Sequence, residues 1–411
     1  MSSPGRDHAE SAPALRAFEL RPAEFEGRRG LVLIDPLGLI DGQVFVPEAL
    51  VPILARLDGT RTLASIEAEL RAAGAVLRDG FLADLVVQLD ESLLLHGELF
   101  ESTAESTAAQ FLAEGVREAS HAGSHGYPAG AGACARALDE LLGELSAPTG
   151  RAPRGLVAPH IDFGRGASGY RAAYRALAAH ELPELVVVFG TGHGGPLAPL
   201  TGLPLDWRTP LGTLRTERAF VDAVHARLGA PAPADLLLHR KEHSLEFQML
   251  CLAALSLART GRPDAIPVAG FLCGSLPSGD GDLDRETWIA GLLDALRGAA
   301  AKRRVTFLAG ADLAHVGPTF GDDAPLGDDA VHALARRDDA RLAMLRAGEP
   351  GHFHAAVMRG ANPDRVCSAT AIYLAARLAG GAAEILHYGQ ALAEDRTQCV
   401  TFCSAILRGE P

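Results

Sequence analysis

Positive charge is scarce in this sequence: 38 Lys and Arg stand against 51 Asp and Glu, a formal charge of -13 at pH 7. Such a surface repels phosphate backbones and anionic headgroups, so nucleic acid is excluded as a natural partner. Cysteine is scarce as well. The six cysteines, at 134, 251, 273, 367, 399 and 403, are too few and too irregularly spaced for a disulfide framework in a chain of 411 residues. Long apolar runs are missing: stretches such as Leu93 to Leu95 or Leu185 to Phe189 fall far short of the ~20 residues of a spanning helix. The N-terminal MSSPGRDHAES has no apolar segment of a secretory signal. The expectation is a cytoplasmic protein with no membrane partner. Aromatics are only 5% of the residues, but hydrophobic residues reach 48%, an Ala/Leu-rich composition that packs. At ~100–200 residues per domain the length suggests two.

Residues 1 to 16 are polar and lack apolar periodicity, so they read as a tail. Gly30 to Pro36 reads as a strand with Gly42 to Val46 as its hairpin partner. Three helices follow, marked by Ile53/Leu54/Leu57, by Leu63/Ile66/Leu70 after a Thr62 cap, and by Phe81/Leu85/Leu89/Leu93. A hairpin and three short helices, with Asp58-Gly59-Thr60-Arg61-Thr62 between the first two, resemble a PqqD-like domain of winged-helix type over 17–100. The resemblance implies an α+β unit that holds a peptide or serves as an adaptor; a plain helical cap on the larger domain is the competing reading. The Ser/Thr/Ala/Glu-rich stretch 101–117 suits a helical linker.

Over 118–411, apolar strand-like runs alternate with Ala/Leu-rich helical segments, the pattern of an α/β domain whose mostly parallel sheet is covered by helices. What ends the runs is informative. Leu156 to Ala158 ends at Pro159-His160, Leu185 to Phe189 at Gly190-Thr191-Gly192-His193, and Val305 to Leu308 at Ala311-Asp312-Leu313-Ala314-His315. One histidine after a strand is usually just a hydrogen-bonded loop residue. Three of them, with carboxylates, at the carboxyl ends where α/β sheets bind ligands favour a site.

Two further segments join them. Glu242-His243-Ser244-Leu245-Glu246 opens a helix whose Leu245, Met249 and Leu252 face a core. Its acids suit either the site or simply the helix N-terminus. It is not H-E-x-x-H, so zincin chemistry is not indicated. Asp364-Arg365-Val366-Cys367 precedes a helix from Ala371 to Leu378, where a thiolate is favoured by the dipole. Cys251 and Cys273 lie in apolar runs and read as packing residues. Arg208 and Arg365 are candidates for anion recognition, against the commoner reading of solvated surface.

Read in order, Ala122-Gly123-Ser124 with Tyr127-Pro128, Ala158-Pro159-His160, Gly190-Thr191-Gly192-His193, Glu242 to Glu246, Asp312-Leu313-Ala314-His315 with Gly317, Cys367, Tyr388-Gly389 and Asp395-Arg396 resemble the Memo family. In bacteria this is system protein B of the AmmeMemoRadiSam group. The resemblance implies a class III extradiol dioxygenase-like fold and one mononuclear transition metal bound by His160, His193 and Cys367. His315, Asp312, His243 and Glu242 would line the same pocket as acid/base and positioning groups. Iron or copper is favoured over zinc for the metal. The resemblance also implies a radical-SAM enzyme and an AMMECR-type protein as partners. Two departures stand out: Gly194 replaces the second histidine of a pair, and Ile161-Asp162-Phe163 follows the first histidine, with Asp162 a candidate to orient it. The functional readings are a metal-dependent redox enzyme on a small molecule or modified peptide, a metal-binding partner protein without turnover, and a metallohydrolase.

Overall fold

The computed structural model describes residues 13–123, 126–143, 147–195, 198–276, 283–301 and 303–409. Ser124 of the first Memo-like motif lies outside them. Contacts divide the chain into two compact units, Met1–Ala113 and Glu114–Pro411.

In the first unit three antiparallel strands, Glu19–Phe25, Arg28–Ile34 and Val44–Pro47, precede the short helix Val51–Leu54 and the helices Leu63–Ala72, Phe81–Glu91 and Glu98–Ala113. Glu19–Phe25 escapes the sequence reading because nearly all of its residues are exposed, which leaves no alternation to detect. Glu26 and Gly27 turn it into the next strand with φ of 50° and 74°, the positive pair that a two-residue hairpin requires. Thr62 caps its helix as expected, its side chain accepting from Ser65 N at 3.3 Å. In Phe81–Glu91 the buried stripe is Leu82, Val86 and Leu89, one residue away from the expected Phe81/Leu85 register. The stretch 101–117 is for the most part helix, with Phe100, Ala104, Ala108 and Phe111 buried along one stripe. Residues 13–16, read as the end of a tail, are built in. Ala14–Leu15 pairs with Leu95–His96, and Arg16, 3% exposed, donates to Asp35 at 2.6 Å.

The second unit is built on one eight-stranded sheet. Its strands are β1 (Gly155–Ala158), β2 (Leu185–Thr191), β3 (Leu200–Leu203), β4 (Val268–Cys273), β5 (Val305–Gly310), β6 (Asp312–Val316), β7 (Ala383–Leu392) and β8 (Cys399–Leu407). The helices that matter for the site are α1 (Phe163–Ala178), α2 (His243–Thr260), α3 (Thr287–Ala300) and α4 (Ala369–Ala379). Strands β1, β5, β2 and β4 pair in parallel in that order, while β3 joins β4 antiparallel. On the other side β8 runs antiparallel to β1, β6 and β7. The sheet is therefore mixed rather than mostly parallel. After α4 the chain returns as a β7–β8 hairpin, and a hairpin is antiparallel by construction.

Every residue of β1, β2, β4 and β5 is buried, which is why they read as continuous apolar runs. Helix α2 lies close against them, with Leu245, Met249 and Leu252 wholly buried. Glycine permits the approach: a Cβ at Gly190 would sit 2.6 Å from Ser244 Oγ, and one at Gly310 2.5 Å from the Ser244 carbonyl oxygen. No helix among the described residues is long and apolar enough to cross a membrane.

Candidate metal centre

Strands β1 and β2 end two residues before His160 and His193, so stiff backbone delivers both imidazoles to the same edge of the sheet. His160 is 1% exposed. Its Nδ1 donates to the Gly310 carbonyl at 2.9 Å, and its backbone N–H donates to Asp312 Oδ1 at 3.0 Å. His193 repeats the arrangement with a carboxylate: Nδ1 donates to Glu242 Oε1 at 3.0 Å and the backbone N–H to Oε2 at 3.0 Å. With Nδ1–H committed to oxygen, Nε2 is the nitrogen of each ring left for a metal, which would displace its proton on binding.

Glu242 has a second task. As the cap of α2 it accepts from Ser244 N at 2.9 Å, so the residue that orients His193 also starts the helix that carries His243. The rings of His193 and His243 stack at 4.8 Å, and His160 stands edge-on to them at 5.0 and 5.3 Å. One nitrogen from each of the three lies within 4.8 Å of the others, a group that could hold a metal ion. Cys367, just ahead of Ser368 and α4, places Sγ 3.6 Å from His160 Nε2.

The electrostatics of the group are tightly coupled. Burial opposes charge on His160, but Asp312 and the Cys367 sulfur outweigh it and raise its pKa to about 9. Burial would push the Cys367 thiol up, yet His160 and His315 draw it well below its ordinary value. Burial likewise opposes the Glu242 carboxylate, and His193 more than compensates, holding it well below the usual range. His243 goes the other way: burial, helped by His193 and His160 against Glu242, lowers it to about 3 and leaves the ring neutral. A thiolate and anchored imidazoles are the donor types that transition metals take, and ligation requires imidazoles in their neutral form.

His160, His193, His243, Glu242, Asp312 and Cys367 are thus brought together. His315 stands differently from its expected loop position, because after Ala311 the chain continues as β6 against β8. Its backbone N–H donates to the Asp364 carbonyl and its own carbonyl accepts from Arg365 Nε, both at 2.8 Å. The ring packs edge-on against Phe320 at 5.2 Å, near enough to Cys367 to act on its charge. Arg365 also pairs with Asp322 at 2.5 Å, and Arg208 with Glu118 at 3.4 Å, so both candidate anion-binding arginines carry carboxylates. Asp162 does not orient His160; it caps α1 and pairs with Arg165.

Glu246, read as either a site acid or a helix-start acid, has another role. It lies outside the histidine group, 1% exposed, and is bound by Arg117, Ser120, His121 and Tyr127. These partners hold the segment before α1 against α2 and bring the His121 ring to 5.7 Å from that of His243. Nothing local in the sequence marks His121 or Arg117, since their partner lies more than 120 residues away.

Over residues 117–406 the sequence matches the family model described as Memo-like protein. A MEMO1 family protein of Aquifex aeolicus is 28% identical over 245 residues, 59% of this chain and 63% of that protein. One from Thermus thermophilus is 29% identical over 233 residues, 56% of this chain and 64% of that protein. One from Pyrococcus horikoshii reaches 36% over 96 residues, 23% of this chain and 32% of its own length. This chain thus spans less than two thirds of the length of these relatives. The family match runs through every segment that contributes to the histidine group, and the chain belongs to the Memo-like family.

Proposed function

We propose that this chain is a metal-dependent redox protein acting on a small molecule or modified peptide, with one mononuclear metal held by His160, His193 and Cys367. The observation that carries the reading is the anchoring of Nδ1 in both strand-end histidines, which aims Nε2 of His160 at the Cys367 sulfur. A bound iron or copper ion supplies Lewis-acid and one-electron chemistry to such a site. The chain supplies the rest. Gly310 and Glu242 orient the two imidazoles, Asp312 sets the backbone of His160, and the neutral ring of His243 stacks on His193 beside them. The thiolate favours copper(I) or zinc more than a carboxylate would and does not exclude iron(II), while redox chemistry requires iron or copper.

Anaerobic reconstitution with iron(II), copper(I) and zinc, metal analysis and then an oxygen-uptake assay test the proposal. Stoichiometric iron or copper with oxygen consumption supports it. A protein that retains only zinc and is inert to oxygen overturns it.

A further inference from the structure

At the opposite end of the same parallel strands lies a cavity of about 480 Å³. Arg151 and Arg154 precede β1, Arg303 and Arg304 precede β5, and Arg297 comes from α3; all five line it, and no Asp or Glu lines it among the described residues. In a chain of charge -13, five arginines around one cavity stand out. Pro183, Val305, Phe307 and Leu378 form an apolar wall beside the guanidinium groups.

The arginines fall into two sets. Arg303 pairs with Glu217 at 2.6 Å, Arg304 with Glu184 at 2.8 Å and Glu181 at 3.5 Å, and Arg297 with Asp294 at 3.5 Å. Those carboxylates stand outside the lining and hold three guanidinium groups in place. Arg151 and Arg154 have no carboxylate partner among the described residues and are exposed. The carboxyl end of α3 also reaches the cavity at Ala300 and Ala301, and Arg297 in its last turn suits that end. The other four arginines come from strand approaches, so capping that helix does not account for them.

We propose that this cavity binds a small molecule carrying a diphosphate group. Guanidinium forks match phosphate oxygens two at a time, and the two without a carboxylate partner among the described residues, Arg151 and Arg154, offer one fork to each of two phosphates. The apolar wall offers room for an organic body such as a nucleoside, and the volume lies within the usual range for ligand pockets. The strands that separate the cavity from the histidines are up to seven residues long, which puts the two sites roughly 20 Å apart.

Isothermal titration calorimetry of the full chain with pyrophosphate, ADP, AMP and orthophosphate tests this. Pyrophosphate and ADP should bind, AMP and orthophosphate at least tenfold more weakly, with affinity falling as salt rises. ADP tighter than pyrophosphate identifies a nucleotide-like ligand, and equal affinities identify free diphosphate. The Arg151→Ala and Arg154→Ala variants change exposed side chains without a carboxylate partner among the described residues, so the fold should stay intact, and each should weaken binding roughly tenfold or more. The His193→Ala variant should bind pyrophosphate as the parent does. Absence of binding heat, unchanged affinity in the arginine variants, or loss of binding in His193→Ala, which would put the anion at the histidine group, each overturns the proposal.

Discussion

Replacing Glu246 by Gln tests the claim that a buried ion pair holds the segment 117–127 against α2. Oε2 accepts from Arg117 Nη1, from Ser120 N at 3.1 Å and from Ser120 Oγ at 2.7 Å, while Oε1 accepts from His121 N at 2.8 Å and the Tyr127 hydroxyl at 2.5 Å. Both Arg117 and Glu246 side chains are 1% exposed. Glutamine keeps the shape but turns one acceptor into an NH2 that faces donors, and it leaves the Arg117 charge buried without its counter-ion. Removing one partner of a buried pair costs about 3–5 kcal/mol. At roughly 2–4 °C per kcal/mol, with the lower end apt for a unit this large, Tm should fall by about 6–15 °C. Asp339→Asn, which breaks an exposed pair with Arg346, serves as the control and should move Tm by no more than about 2 °C.

The pH dependence carries the same signature. Burial opposes the Glu246 charge, but the His121 hydrogen bond, Arg117 and Tyr127 hold its pKa well below the ordinary 4.5. The pair therefore stabilises fully above that value, and its contribution fades as pH falls below it. Thermal unfolding followed by circular dichroism from pH 3 to 7 should show the parent losing stability below about pH 4.5 more steeply than Glu246→Gln. A drop in Tm of less than about 2 °C at neutral pH, or parallel curves in acid, would refute the argument.

Cys367→Ser should lower metal affinity by at least ~10–100-fold with the fold unchanged, and undiminished metal in the purified variant would remove the sulfur from the ligand set. His160→Ala and His193→Ala should lose bound metal, whereas His315→Ala, altered on a strand backed by Phe320, should keep most of it and lose the reaction; metal analysis of the three decides, and an equally empty His315→Ala makes it a ligand. Gly190→Ala forces a Cβ against Ser244 and Leu245, so it should cost roughly 1–3 kcal/mol through overpacking, and urea unfolding reads the loss. Residues 114–411 expressed alone should fold and bind metal as the full chain does, since strand pairing within that unit starts at Val116; an insoluble or metal-free product would show that the first unit completes the core.

The sequence alone determined what local pattern controls. Continuous apolar runs marked the strands buried on both faces, and the residues that end them marked His160 and His193, because a strand leaving a buried sheet must place its next polar residues at the edge. The Thr62 cap and the start of α2 were legible for the same local reason. Only the tertiary structure decided which partner each polar group takes. Glu242 turned out to orient His193 and Glu246 to bind Arg117 and His121, choices between chemically similar carboxylates that depend on contacts across 49 to 129 residues, while Asp162 turned instead to the local cap of α1. His315 moved from an expected loop to β6, and the sheet became mixed, because β8 pairs with β6 and β1, strands whose sequence separation carries no local signal. The arginine cavity has the same origin: residues scattered from 151 to 304 meet only because parallel strands bring all their amino ends to one side.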